Sequence, residues 1–396
     1  MSPRRGAKLK GRVLFAGQSY YHAWYLSREL RKLGWKADVL NWDPNPGNEL
    51  YYHGEDFRVL YRGRFDILRH ASLYARSIPQ YDIFHFSNVH GFSFSNTLHE
   101  FMGRLFGEAS EVRLLKRLGK KIVYSNNGCL DGVLQSSFDA WGPEPTCEIC
   151  PWRHEPTICS DERNQAWGEL RNSLADYQTN AGGNRVDFND DPSVHEVPEF
   201  YCLDPDVWRP DLLIPTNYRL PYSESTVKLY HSVGNAATRV AAGTHKGLKS
   251  THIYVPLVEQ LKAEGRDVEL VYFTDVPNRQ LRYYQSQTDI VCDMLTVGWF
   301  GANVREGMML GKPAVCFLRP SWIENVRREV PDYVEELPVV STTPETVRDV
   351  LVELIEDPVK RQELGERGRE FAVKWHSSQA AARRLDGIYS ELLETT

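Results

Sequence analysis

The sequence predicts an α/β protein built from two doubly wound parallel sheets, and three observations carry that expectation. At 396 residues the chain exceeds what one ordinary hydrophobic core accommodates, so two domains of about 150–200 residues are expected. Short apolar strands alternate with amphipathic helices from the start, the pattern of a parallel sheet. The alternation lapses near residue 128 and restarts near 227, which marks a second domain.

Val13, Leu14, Phe15 and Ala16 form a buried strand over 12–16, ended by the loop Gly17-Gln18-Ser19-Tyr20. Trp24, Leu26, Leu30 and Leu33 recur near helical spacing and predict a helix over 22–33, stopped by Gly34. Strands follow at 37–40, 82–86 and 121–124. Between the last two, Leu98, Phe101, Met102, Leu105 and Phe106 fall on one helical face, and a further helix over 112–118 ends at Gly119. Residues 128–220, rich in Pro, Asn, Asp and Cys, read as a long irregular insertion, and the domain boundary falls near 215–221. The second half resumes with strands at 227–231, 268–274 and 290–295 and a helix over 250–264. A last helix begins at Ser377 or Ser378, either of which can cap it, with Ala381, Leu385, Ile388 and Leu392 on one face.

Composition excludes several classes. A net charge of −6 leaves no basic excess to neutralise phosphates, so nucleic acid is not an expected partner. No window approaches the ~20 apolar residues that span a bilayer. The basic residues 1–10 precede an apolar run too short for a signal peptide, which predicts a cytoplasmic location. The segment 98–121 is basic and apolar. It fits paired core helices or peripheral contact with an anionic bilayer.

The densest chemical signal is the stretch from Gly298 to Phe317. It reads as a glycine-bearing loop, a short helix ending at Gly311 and a buried strand over 314–318. Glycines let backbone amides approach a diphosphate, and Glu306 in the helix's first turn can accept hydrogen bonds from hydroxyls. Asn303-Val304-Arg305-Glu306 equally fits a capping box, in which Glu306 only bonds back to the helix start.

Phe300, Gly301, Glu306, Met308, Gly311, Lys312 and Pro313 together resemble the donor-site signature of family-4-type retaining glycosyltransferases (glycosyl transferases group 1) of the GT-B fold. One position departs: Gly298 stands where the first Glu of that signature contacts the transferred sugar. Asp293 lies five residues earlier. The resemblance implies two Rossmann-like domains facing a cleft. Residues 1–218 form an acceptor-side domain with a Cys-rich insertion at about 128–210, and 219–376 a donor domain. Residues 377–396 supply a helix that crosses back to the first domain.

The same resemblance implies transfer of a sugar from a nucleotide-sugar donor (UDP-, GDP- or similar) to a hydroxyl of a carbohydrate or other acceptor. Retention of configuration follows, as does a place in polysaccharide or surface-glycan biosynthesis, with no cofactor required for catalysis. Arg239, Lys246, Gly247, Phe300, Gly301 and Glu306 become the donor-binding set. Gly17, Gln18 and His85 become the acceptor side, with His85 and Glu306 as catalytic candidates. A neutral imidazole at His85 can assist deprotonation of a hydroxyl, and a satisfied structural histidine fits the same position. Gly298 motivates an alternative, a degenerate GT-B protein that binds a sugar nucleotide or a partner without turnover.

Seven cysteines in a reducing compartment read as thiols or metal ligands. Cys147 and Cys150 have the spacing that lets two sulfurs reach one tetrahedral zinc, and Cys129 and Cys159 can complete a structural site, with His154 as an alternate ligand. Buried thiols without metal are the other reading. Cys202, Cys292 and Cys316 read as ordinary buried cysteines.

Overall fold

The computed structural model describes residues 9–17, 20–43, 45–60, 63, 65–87, 91–126, 132–143, 145–180, 185–236, 239–240 and 246–395. Two parallel sheets carry the architecture. The first comprises β1 (Arg12–Ala16), β2 (Lys36–Asn41), β3 (Phe57–Arg58), β4 (Ile83–Phe86), β5 (Lys121–Ser125), β6 (Tyr177–Asn180) and β7 (Val194–Glu196). Its order is β3-β2-β1-β4-β5-β6-β7, with every pair parallel. Its helices are α1 (His22–Lys32), α2 (Asp66–Gln80), α3 (Asn96–Phe106), α4 (Ser110–Arg117), α5 (Gln135–Asp139) and α6 (Asp161–Leu174).

The second sheet comprises β8 (Val227–Val233), β9 (Val268–Thr274), β10 (Ile290–Cys292), β11 (Ala314–Cys316) and β12 (Val340–Ser341), in the order β12-β11-β10-β8-β9. With it go α7 (Thr251–Ala263), α8 (Asn278–Gln285), α9 (Ala302–Met309), α10 (Pro320–Glu329), α11 (Pro331–Glu336), α12 (Val347–Glu356), α13 (Pro358–His376) and α14 (Ser378–Glu394). Helices cover both faces of each sheet, which is why the strands read as continuous apolar runs rather than alternating ones.

Ser377 caps α14 by accepting from the Ala380 amide, which decides between the two expected caps. Leu385, Ile388 and Tyr389 then join Leu26, Leu30 and Trp35 in one core, and Asp386 accepts the Trp35 indole N–H at 2.7 Å. The last helix therefore packs on the first sheet's layer. The same core contains Tyr230, Val291 and Met308 of the second sheet's layer, so the apolar interior is continuous between the two halves.

Two expectations change. The stretch 128–220 is not irregular throughout, because α6, β6 and β7 extend the first sheet within it. β6 is Tyr-Gln-Thr-Asn, a buried strand made of polar side chains, and so lacks the apolar signature. The apolar face of α3 is also not wholly core. Leu98 is buried, whereas Phe101, Leu105 and Phe106 are exposed. Among the described residues, no helix is long and apolar enough to cross a membrane.

Candidate functional site

Ligands of open parallel sheets sit beyond the carboxyl ends of the strands, where the strand order reverses. The order reverses between β1 and β4 in the first sheet and between β8 and β10 in the second. The loops after those strands therefore define the candidate site.

The loop after β10 is closed by its own ends. Asp293, fully buried, accepts from the Gly301 amide at 2.8 Å, and Tyr254 donates to the Asp293 carbonyl at 2.7 Å. Lys249 brings its ammonium to 3.7 Å from the other Asp293 oxygen. A Cβ at residue 301 would stand 3.1 Å from Asp293 and 3.2 Å from the Lys249 nitrogen, so glycine permits this approach. Gly298 adopts a φ of +86°, and a Cβ there would lie 2.9 Å from Arg319 Cβ and Cγ. The Arg319 stem occupies the space that a side chain at 298 would take. Its guanidinium stacks on Trp141 (4.1 Å) and Trp299 (5.4 Å). Trp141 belongs to the insertion, whose Phe138 and Cys147 pack with Met294 and Val297, so the insertion covers this loop.

Helix α9 begins at Ala302 with Gly301 as its uncapped N-cap residue. Asn303 is therefore inside the helix, donating to the Ser232 carbonyl at 2.9 Å, and the capping-box expectation does not hold. Glu306 sits in the second turn rather than the first. One carboxylate oxygen accepts from Tyr21 (2.8 Å) and Asn278 (2.7 Å), the other from Gln285 (2.9 Å). Burial raises its pKa, and the three donors oppose the rise.

Around Tyr21 the two halves interlock. His53 bonds Tyr25 (2.7 Å) and Asn278 (2.9 Å) and stacks on Trp208 at 5.4 Å. Burial pushes His22 and His53 down to about 3, so both imidazoles are neutral at physiological pH. The loop after β8 meets the first half through Asn235, which donates to Asn48 at 3.1 Å.

No protein-family model and no curated protein matches this sequence. Solved structures do match in shape. A glycosyltransferase from Rickettsia africae aligns with a TM-score of 0.58 at 10% identity, covering 98% of this chain and 100% of that one. Anabaena HepE, solved in complex with UDP and glucose, gives 0.56 at 12% identity, covering 97% of this chain and 100% of that one. Sucrose-phosphate synthase from Thermosynechococcus elongatus gives 0.56 at 12% identity, covering 97% and 99%. The fold is GT-B. Identities this low speak for the fold alone.

Within this GT-B frame the expected residues separate into groups. Phe300, Gly301 and Glu306 lie on one loop-and-helix unit after β10. Phe300 is buried against Trp322 at 5.7 Å. Arg239 and Lys246 are brought together because Val240 and Gly247 form an antiparallel bridge, and Lys246 is exposed. Gly17 turns the chain after β1 with φ +101°, its amide donating to the Leu40 carbonyl. Gln18 and Cys129 lie outside the described residues.

Of the two readings of His85, the geometry matches the satisfied structural histidine. His85 is fully buried, with one ring nitrogen 2.5 Å from the Tyr389 hydroxyl of α14 and the other 2.6 Å from that of Ser125. Its side chain points into the layer beneath α14, and burial pushes it down to about 3. Of the four expected zinc ligands, Cys147, Cys150 and Cys159 are described, and two of them border Gln135. Cys159 accepts from the Gln135 amide at 3.3 Å, and Cys147 donates to the Gln135 carbonyl at 3.7 Å. Among the described residues no three His, Cys, Asp or Glu side chains converge on a metal position, so zinc has no support there. Lys249, Tyr21, Arg305 and Arg319 were not expected. Only Lys249, three residues after Lys246, carried a hint in its spacing.

Proposed function

We propose that this GT-B protein is a glycosyltransferase that binds a sugar nucleotide at the unit following β10 and passes the sugar to an acceptor hydroxyl. The observation that carries the reading is the convergence of Lys249, Asp293 and the Gly301 amide at the start of α9. A fixed cation beside a helix N-terminus at a switch-point crevice suits a departing diphosphate. HepE, which shares the fold, has been solved with UDP-glucose.

In this reading Lys246, Lys249 and Arg239 face the diphosphate, with Gly247, Phe300 and Gly301 shaping its approach. Glu306 exchanges Tyr21 for the ribose hydroxyls as the two halves part. The transfer is hexosyl transfer with retention, in which the departing phosphate takes the acceptor proton, so no side-chain base, metal or other cofactor is assigned. Gly17 and Gln18 border the acceptor, and polysaccharide or surface-glycan assembly is the setting. His85 holds α14 rather than touching substrate.

Thermal stabilisation by UDP, GDP and their sugars tests this, with Glu306→Ala expected to lose it. If no nucleoside diphosphate raises the melting temperature, the reading fails. Gly298, with Arg319 in its side-chain space, favours a second reading as a binder without turnover. Stabilisation with no release of nucleoside diphosphate across an acceptor panel would select that one.

A further inference from the structure

We infer that the sugar end of this crevice reads an anionic group, a carboxylate or phosphate, through Arg305. The inference rests on the donor-site reading above. Arg305 lines a small cavity with Pro198, Trp299, Phe300, Trp322, Tyr333 and His376. Its free volume of about 10 Å³ admits about one water-sized group, the size of one oxygen of such an anion. Arg305 is only 9% exposed. Its Nε has no hydrogen-bond partner, and Nη1 reaches only the Phe300 carbonyl, at 3.4 Å. The guanidinium is held by the faces of Tyr201 (4.9 Å) and Phe300 (5.7 Å).

Among the described residues no carboxylate forms an ion pair with Arg305, and a buried cation without a counter-ion is costly. Of the nearby acids Glu306 acts on it only through space, without contact. Glu306 is committed to three donors, and burial raises Glu196 to about 8 and also raises Glu199. His376, bonded to Tyr333 at 2.9 Å, is pushed far down and stays neutral. A second guanidinium, Arg319, lies over Trp299, beside the position where the resembling signature has a Glu. The charge at this end is thus cationic where that signature is anionic, and a planar fork of donors suits a carboxylate or phosphate.

The anion can belong to the transferred sugar or to the acceptor, and binding measurements on the full chain separate the two. The donor arm compares UDP, UDP-glucose and UDP-glucuronate, and the guanosine pair GDP-mannose and GDP-mannuronate. The acceptor arm compares glucose with glucuronate and glucose 6-phosphate in the presence of UDP or GDP. In one arm the acidic compound should bind at least about tenfold more tightly than its neutral counterpart. Arg305→Met should abolish that advantage, and Arg305→Lys, which keeps the charge and serves if the Met variant does not fold, should retain part of it. If a nucleotide binds but neither arm shows an advantage, or the advantage survives Arg305→Met, the inference falls while the donor reading stands. If neither UDP nor GDP binds, both fall.

Discussion

The hydroxyl of Tyr21, at the start of α1, donates to Glu306 of α9 at 2.8 Å in the interior, so one buried hydrogen bond joins the two halves of the molecule. The carboxylate that sequence reasoning aimed at a ligand is held by protein donors in this arrangement. Whether those donors yield to a ligand is a question of free energy, and it can be measured.

Tyr21→Phe removes one of the three donors to Glu306 and leaves the ring packing on Trp208 and His53 intact. Denaturant unfolding should show a loss of about 1–3 kcal/mol, the cost of an under-satisfied buried acceptor. Nucleotide affinity should hold or increase, since the ribose no longer competes with the phenol. A weakened affinity would mean that Tyr21 itself touches the ligand.

Gly298→Glu restores the residue of the resembling signature but should not restore a site. The positive φ and the Arg319 stem at 2.9 Å both oppose a Cβ. Gly298→Ala should already cost roughly 2 kcal/mol, from left-handed strain and the displaced neighbour. A stable Gly298→Glu protein with raised transfer activity would show that Arg319 moves aside freely.

Glu196 gives a pH signature. Its pKa is raised from an ordinary 4.5 to about 8, chiefly by burial, so the folded state holds a proton that the unfolded state has released between those values. Its contribution is therefore complete below about pH 4.5 and is lost as pH rises toward 8. Between pH 7 and 8 the Glu196 contribution alone should fall by roughly 1 kcal/mol, read as the difference in slope between the native protein and Glu196→Gln, since the unfolded imidazoles act in the opposite sense. An unchanged slope in the variant would assign the titration elsewhere.

His85→Ala should destabilise by roughly 2–4 kcal/mol, because it orphans the Tyr389 hydroxyl, leaves Ser125 with Thr179 alone and empties a buried ring site. Where transfer activity is measurable, the pH–rate profile of the surviving folded protein should keep its shape. Loss of one limb of that profile would return His85 to a proton-transfer role.

Much of the fold was legible because it is written locally. The strands at β1, β4 and β5, the glycine stops of the helices and a serine cap at 377 or 378 all follow from spacing within a dozen residues. The polar strand β6 and the exposed face of α3 were not legible. A strand of Tyr, Gln, Thr and Asn is identified only by the neighbours it pairs with, and an amphipathic spacing does not say what covers it. In the site, Gly301 and Glu306 were found as a unit, but their surroundings were not.

By itself the sequence determined two parallel α/β halves, a closing helix, and the loop, helix and strand between Gly298 and Cys316. These depend on apolar runs and glycine positions that act over short range. Only the tertiary structure decided that Glu306 answers to Tyr21, 285 residues away, that Arg319 fills the place of a side chain at 298, and that His85 lies under α14. Those are relations between groups distant along the chain. They depend on which way side chains point once both sheets have packed, and no local spacing encodes that.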